Sequence, residues 1–257
     1  MNMLLPTPVA DELKTGMPSK PQEYEHTTIY QSDIQGFTSI GKRSTPLQIM
    51  EMLGDIYIVF DKLLSQHDAY KVRILTFSYF TEMYDGSIYF QVETIGDAYV
   101  AISGALNNNS RHASEICGFA VKVRDKIDNF VIRHLPNEKL KIRIGVHSGP
   151  IVGGVVGKKM LRWCLFGETR HLADKLESTG KSKFIHISER TKNYLMEDPD
   201  MDWSKAVAER DEKVPELKSY DCCQRTYWLL EDGRMRSSQT DTSLWYAIKA
   251  KSRFADE

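Results

Sequence analysis

Nowhere in the 257 residues does an apolar run approach the roughly 20 that a membrane helix needs, and the N-terminus has no apolar signal-peptide core. The chain is therefore expected to be soluble as it stands, with no membrane span in this segment. It also lacks a surplus of charge: 34 Lys and Arg stand against 35 Asp and Glu, a formal net of −1. Nucleic acid is excluded as a partner, because backbone binding needs a basic surface. Cysteine is scarce, and Cys117, Cys164, Cys222 and Cys223 have no zinc-site spacing. Two of them are adjacent, so all four are expected as reduced, unpaired thiols in a cytosolic compartment. No repeat or low-complexity segment is present. The glycines at 153, 154 and 157 are not followed by Gly-Lys-Ser/Thr, so no phosphate-binding Walker loop exists.

What is present is enough apolar content, 41%, to bury a core of one large or two small domains. Met50, Leu53, Tyr57, Phe60 and Leu64 recur at helical spacing, as do Ile116, Ala120, Val123, Ile127 and Val131. Both sets are expected to be core faces. Leu140, Ile142, Ile144 and Val146 alternate as a half-buried strand that should end at Ser148-Gly149-Pro150, and the glycines among the following valines suggest a bent hairpin. Further strands are expected at Phe184 to Ile187 and Thr226 to Leu230. The pattern is that of an α+β protein.

Two segments carry candidate chemistry. Thr28 to Ile34 is β-branched and alternating, Gly36 breaks it, and Thr45-Pro46 supplies an N-cap and first residue for a helix. Asp33 thus stands where a strand feeds a glycine turn whose amides can face phosphate oxygens. In QVETIGDAYVAISG, the dipeptide Gly96-Asp97 lies between two strand-like runs, a hairpin signal that places Asp97 at a tip. Two carboxylates at strand ends, completed by substrate phosphates, are the usual ligand set for magnesium.

The ordered blocks LLPTPVADELKTG, TIYQSDIQGFTSI, VETIGDAYVAISG, KIRIGVHSGPIVGGVVG, RWCLFGETRHLADKLESTG and RTYWL resemble the catalytic domain of a class III nucleotidyl cyclase of the guanylyl cyclase type. The match runs from about Leu4 to about Leu230. The resemblance implies a class III cyclase fold, an antiparallel sheet with a ferredoxin-like βαββαβ core flanked by helices. It implies a dimer whose active sites lie between subunits, and conversion of GTP to cyclic GMP and pyrophosphate with two Mg2+ or Mn2+ ions per site. Asp33, Asp97 and the carbonyl of Ile34 match the metal ligands, and Gly36, Phe37 and Thr38 the phosphate-binding turn. Glu93 and Cys164 match the pair that reads guanine; a carboxylate accepts from guanine's N1 and N2 donors, a pairing that an adenine edge does not offer.

The chain departs from the family at three places. Where the family carries an asparagine that orients the ribose and, four residues on, an arginine that stabilises the α-phosphate, this chain has His171 and Lys175. Lysine keeps the charge but loses the planar fork. The family's lysine-glycine loop before the last strand is replaced by ELKSYDCCQRTYWL, in which Lys218 is the candidate for reaching the triphosphate and a solvated surface lysine is the alternative. Residues 72–91 form an unusual insertion between Tyr70-Lys71-Val72 and the ETIGDAY block, either an aromatic-rich hairpin around Tyr84-Asp85-Gly86-Ser87 or a retained intron.

These features imply a metal-donating, α-like subunit of a heterodimeric guanylyl cyclase whose partner carries the intact Asn/Arg pair. A self-sufficient homodimer and a regulatory pseudo-cyclase without turnover are the alternatives. The expected organisation is an N-terminal segment 1–26 following a dimerising helix, a catalytic domain 27–231, and a polar tail 232–257. The expected setting is cytoplasmic, with the cytosolic catalytic part of a longer, membrane-anchored sensor as one form of it.

Overall fold

A computed structural model describes residues 7–14, 20–72, 97–157 and 162–233. In chain order these form α1 (Thr7–Lys14), β1 (Gln22–Ile34), α2 (Phe37–Lys42), α3 (Pro46–Leu64), β2 (Tyr70–Val72), β3 (Tyr99–Ser103), α4 (His112–Asp128) and β4 (Ile142–Val156). There follow β5 (Arg162–Phe166), α5 (Glu168–Ser178), β6 (Ile185–Ser188), α6 (Glu189–Glu197), β7 (Val207–Glu209), the 3-10 turns Pro215–Leu217 and Asp221–Cys223, and β8 (Thr226–Leu229). Residues 73–91 of the inserted segment, Glu93, the strand run before Gly96 and the amphipathic stretch around Leu244 all lie outside the described residues.

The strands form one sheet in the order β2-β3-β1-β4-β6-β8-β7, with β5 also on β4. Every pairing is antiparallel except β4 with β6. The α+β class expected from the sequence holds. Alternation splits the core to both sides of the sheet: Tyr30, Tyr99 and Ala101 face α3 and α4, whereas Ile29, Val100 and Ile102 face the side holding Val9 of α1 and Ala173 of α5. Central strands buried on both faces need apolar residues at nearly every position, which is the composition β3 has.

The helix start at Thr45 is as expected. Thr45 Oγ1 accepts from Gln48 N at 3.3 Å while Gln48 Oε1 accepts from Thr45 N at 2.8 Å, a complete capping box with Pro46 in the first turn.

Three expectations need correction. Met50 is 59% exposed, because the buried stripe of α3 runs through Met52, Leu53, Ile56, Phe60 and Leu64 and leaves Met50 off its edge. Val131 is 61% exposed, since α4 has already ended at Asp128. The strand predicted to stop at Pro150 continues to Val156. It can do so because β1 bulges opposite the proline: Tyr24 pairs Ile151 and Thr27 pairs Gly149, so two β1 residues oppose one residue that has no N–H. Within the segment 1–26, α1 buries Val9 and Ala10, and β1 begins at Gln22.

Candidate functional site

Strand β1 ends at Ile34, and Gly36 turns the chain with φ 79° into α2, a left-handed conformation that a side chain would strain. Phe37 and Thr38 open that helix, Thr38 exposed and Phe37 half-buried. Asp97 precedes β3, the neighbour of β1, and its Oδ2 accepts the Ile34 backbone N–H at 3.3 Å. The two carboxylates predicted as metal ligands therefore meet. Burial, and next the negative charge of Asp33, push Asp97 up to about 6, and a hydrogen bond links the two side chains. Two half-buried carboxylates this close share a proton unless a cation separates them. Their hard oxygens, converging at a strand end, fit a magnesium or manganese site.

The surroundings respond to this negative charge and partly offset it. Tyr57 of α3 has its phenol pushed up to about 12 by burial and by the charges of Asp97, Asp33 and Asp61. Lys71 lies over the rings of Tyr57 and Tyr99, 5.0 and 4.9 Å from their centroids, and pairs with Asp61 at 2.9 Å.

Sequence reasoning missed Arg143. It lies directly across the β1–β4 ladder from Asp33, and its guanidinium donates to Asp33 Oδ2 at 3.2 Å and to Glu177 Oε1 at 2.7 Å. Glu177, on α5, is pushed up to about 7 by burial, against the opposing pull of Arg143. A charged residue inside the otherwise apolar alternation of Ile142, Ile144 and Val146 was the available signal.

Helix α5 lies tight on β4 because Gly145 has no side chain; a Cβ there would stand 2.2 Å from Glu177 N and 2.5 Å from Ala173 O. Its inner face buries Leu172, Ala173, Leu176 and Glu177. The other face carries His171, exposed, and Lys175, half-buried, one turn apart as predicted. The His171 ring is 6.5 Å from that of Tyr220, in the loop before β8. A second, part-buried network sits at the same junction, in which Arg170 donates to Gln31 and Gln31 donates to Asp174.

Lys218 follows the Pro215–Leu217 turn and is exposed. Cys164 is half-buried on β5, opposite Gly154 of β4. The structure thus joins Asp33, Ile34 and Asp97 in one cluster and holds His171 and Lys175 on the outward face of a separate helix; Glu93 is outside the described residues.

Residues 19–83 and 75–231 match the adenylate and guanylate cyclase catalytic domain. The chain belongs to that family. The two matched segments overlap within residues 75–83, inside the stretch read as an insertion. Among curated proteins, it is 46% identical over 193 residues to guanylate cyclase 32E of Drosophila melanogaster, covering 75% of this chain and 15% of that much longer protein. Among solved structures, it resembles the guanylate cyclase domain of RhGC from Catenaria anguillulae in complex with GTP, at 30% identity and TM-score 0.65, over 82% of this chain and 99% of that one. A dimeric guanylyl cyclase domain of the RhoGC fusion protein from Blastocladiella emersonii is similar at 32% identity and TM-score 0.63, over 81% and 98%.

Asp33 and Asp97 thus meet at one sheet edge, while His171 and Lys175 lie on α5. No helix among the described residues is long and apolar enough to cross a membrane.

Proposed function

We propose that this domain is a guanylyl cyclase that converts GTP to cyclic GMP and pyrophosphate, acting as the metal-donating subunit of a heterodimer. The observation that carries the reading is the convergence of Asp33 and Asp97 at one sheet edge. In the reaction the ribose 3′-oxygen bonds to the α-phosphorus, the bond from that phosphorus to the pyrophosphate oxygen breaks, and the hydroxyl proton is lost. Asp33, Asp97 and the Ile34 carbonyl would hold two Mg2+ or Mn2+ ions, which when bound acidify the hydroxyl and neutralise charge on the leaving pyrophosphate. Backbone amides of Gly36, Phe37 and Thr38 would receive phosphate oxygens. Glu93 and Cys164 would read the guanine edge, and Lys218 would reach the triphosphate.

His171 and Lys175 stand where the family places its ribose-orienting asparagine and phosphate-stabilising arginine, His171 exposed and Lys175 half-buried on α5. They belong to the opposite half of a shared site. Histidine lacks the amide's paired donor and acceptor, and lysine lacks the bidentate fork. A homodimer then has two impaired sites, whereas a partner with Asn and Arg completes one. The catalytic unit is residues 27–231, with 72–91 inserted, preceded by the segment 1–26 and followed by the tail 232–257. That the chain spans only 15% of guanylate cyclase 32E supports a place within a longer protein, read here as the cytosolic part of a sensor.

The test is the double reversal His171→Asn with Lys175→Arg, assayed as a homodimer with Mn-GTP. A transition-state donor of this kind contributes about 10²–10³ in rate, and the reading predicts a gain of that order. Full turnover before the reversal would favour the self-sufficient homodimer, and no gain after it would reject the assigned roles.

A further inference from the structure

Behind the loop that carries Lys218, three soft ligand atoms come together. His147 on β4 and Cys223 are buried, Cys222 is half-buried, and one ligand atom from each lies within 4.8 Å of the other two. The sulfurs are 3.8 Å apart. Two thiolates on one tetrahedral zinc, with bonds of about 2.3 Å, stand about 3.8 Å from each other. The imidazole is already oriented, because Nδ1 is hydrogen-bonded at 2.8 Å to Ser188 Oγ, which leaves Nε2 for the thiols. Ser188 is itself fixed as the N-cap of α6, accepting from Thr191 N. A buried hydroxyl that can accept from Nδ1–H, and so leave Nε2 to ligate, is the kind of support a ligating histidine has.

We propose that His147, Cys222 and Cys223 form a binding site for a thiophilic cation of the zinc class, separate from the aspartate site. Sequence spacing concealed it, since a Cys-Cys pair has no zinc pattern and its histidine comes from a distant strand. The site arises where the chain departs from the family's lysine-glycine loop. Three protein ligands leave a fourth position open to water. The negative charges of Glu168 and Glu189 bear on Cys223 and favour a cation there.

An ion here would tie the loop before β8 to the middle of the sheet. That loop packs Val214, Leu217 and Cys223 against Leu172 and Leu176 of α5, and sets Tyr220 beside His171. The cation would thus brace both the surface that presents His171 and the loop that presents Lys218.

The experiment titrates the reduced, metal-stripped full chain with Cd2+ and follows the thiolate-to-metal charge-transfer absorption, then displaces Cd2+ with Zn2+. One ion per chain is expected, with affinity reduced at least about tenfold in His147→Gln and the band lost in Cys222→Ser and Cys223→Ser. Asp33→Ala leaves it unchanged, which separates this site from the catalytic reading. In the unmodified protein Zn2+ should also slow alkylation of Cys222 at least about tenfold, a readout that needs no variant to fold. Absence of the band, its persistence in both cysteine variants, or unprotected Cys222 overturns the proposal.

Discussion

Arg143 and Asp33 face each other across the β1–β4 ladder, and the same guanidinium holds Glu177 of α5, so one side chain joins the strand of Asp33 to the helix of His171 and Lys175. Glu177 is nearly buried, at 6% side-chain exposure, while Arg143 keeps 27%. Removing the cation alone leaves a buried carboxylate without its counter-charge. Arg143→Met should therefore cost about 2 kcal/mol at pH 8, less than for a fully buried pair because Arg143 is partly solvated. Adding Glu177→Gln should recover much of it. Urea unfolding of the single and double variants measures both.

The aspartate pair trades stability for metal. Asp97 titrates at about 6 in the folded chain against 3.8 for the free group. A carboxyl raised in this way favours folding at low pH, and the benefit is lost as pH rises from about 4 to about 6. Asp97→Asn should accordingly raise Tm by about 2–4 °C at pH 7.5 in chelator, the shift expected for roughly 1 kcal/mol in a domain of this size. The same variant should lose Mn2+ binding. In the unaltered protein, Mn2+ affinity should fall as pH drops through 6, with uptake of the ion releasing a proton; calorimetry in buffers of different ionisation enthalpy detects that proton.

Two buried histidines act at the acid end. Burial holds His112 and His186 down at about 4, from 6.5. Each is neutral in the fold and protonated in the unfolded chain between those values, so stability is present above pH 6.5 and declines as pH falls toward 4. His112→Asn, which can keep a hydrogen bond to Thr28 Oγ1, should flatten the slope of unfolding free energy against pH over that window.

At Gly145 the sheet and α5 are in backbone contact. Gly145→Ala should cost about 2–3 kcal/mol and shift His171 and Lys175, because overpacking against backbone cannot be relieved by a rotamer change. Gly154→Ala, whose added Cβ meets nothing nearer than 3.5 Å, serves as the control and should be close to neutral. Thermal denaturation of both compares them directly.

Local chemistry made much of this fold legible. The Thr45-Pro46 cap, the alternation into β4 and the glycine after Ile34 each specify their element within a few residues, and the two aspartates follow from the strand ends they terminate. What sequence could not show depends on contacts across the sheet. Pro150 reads as a strand end until the bulge in β1 is seen, Met50 reads as core until the stripe's angular limit is known, and Arg143 becomes a site residue only once β1 and β4 are in register. The meeting of His147 with Cys222 and Cys223 is hidden for the same reason.

The account's central claim is tested most directly by measuring cyclic GMP formed from Mn-GTP by the purified chain, alone and mixed with a cyclase domain carrying the asparagine-arginine pair. The account predicts little product alone, strong production in the mixture, and its loss when this chain carries Asp33→Ala. Silence in the mixture, or undiminished activity with Asp33→Ala, would contradict it.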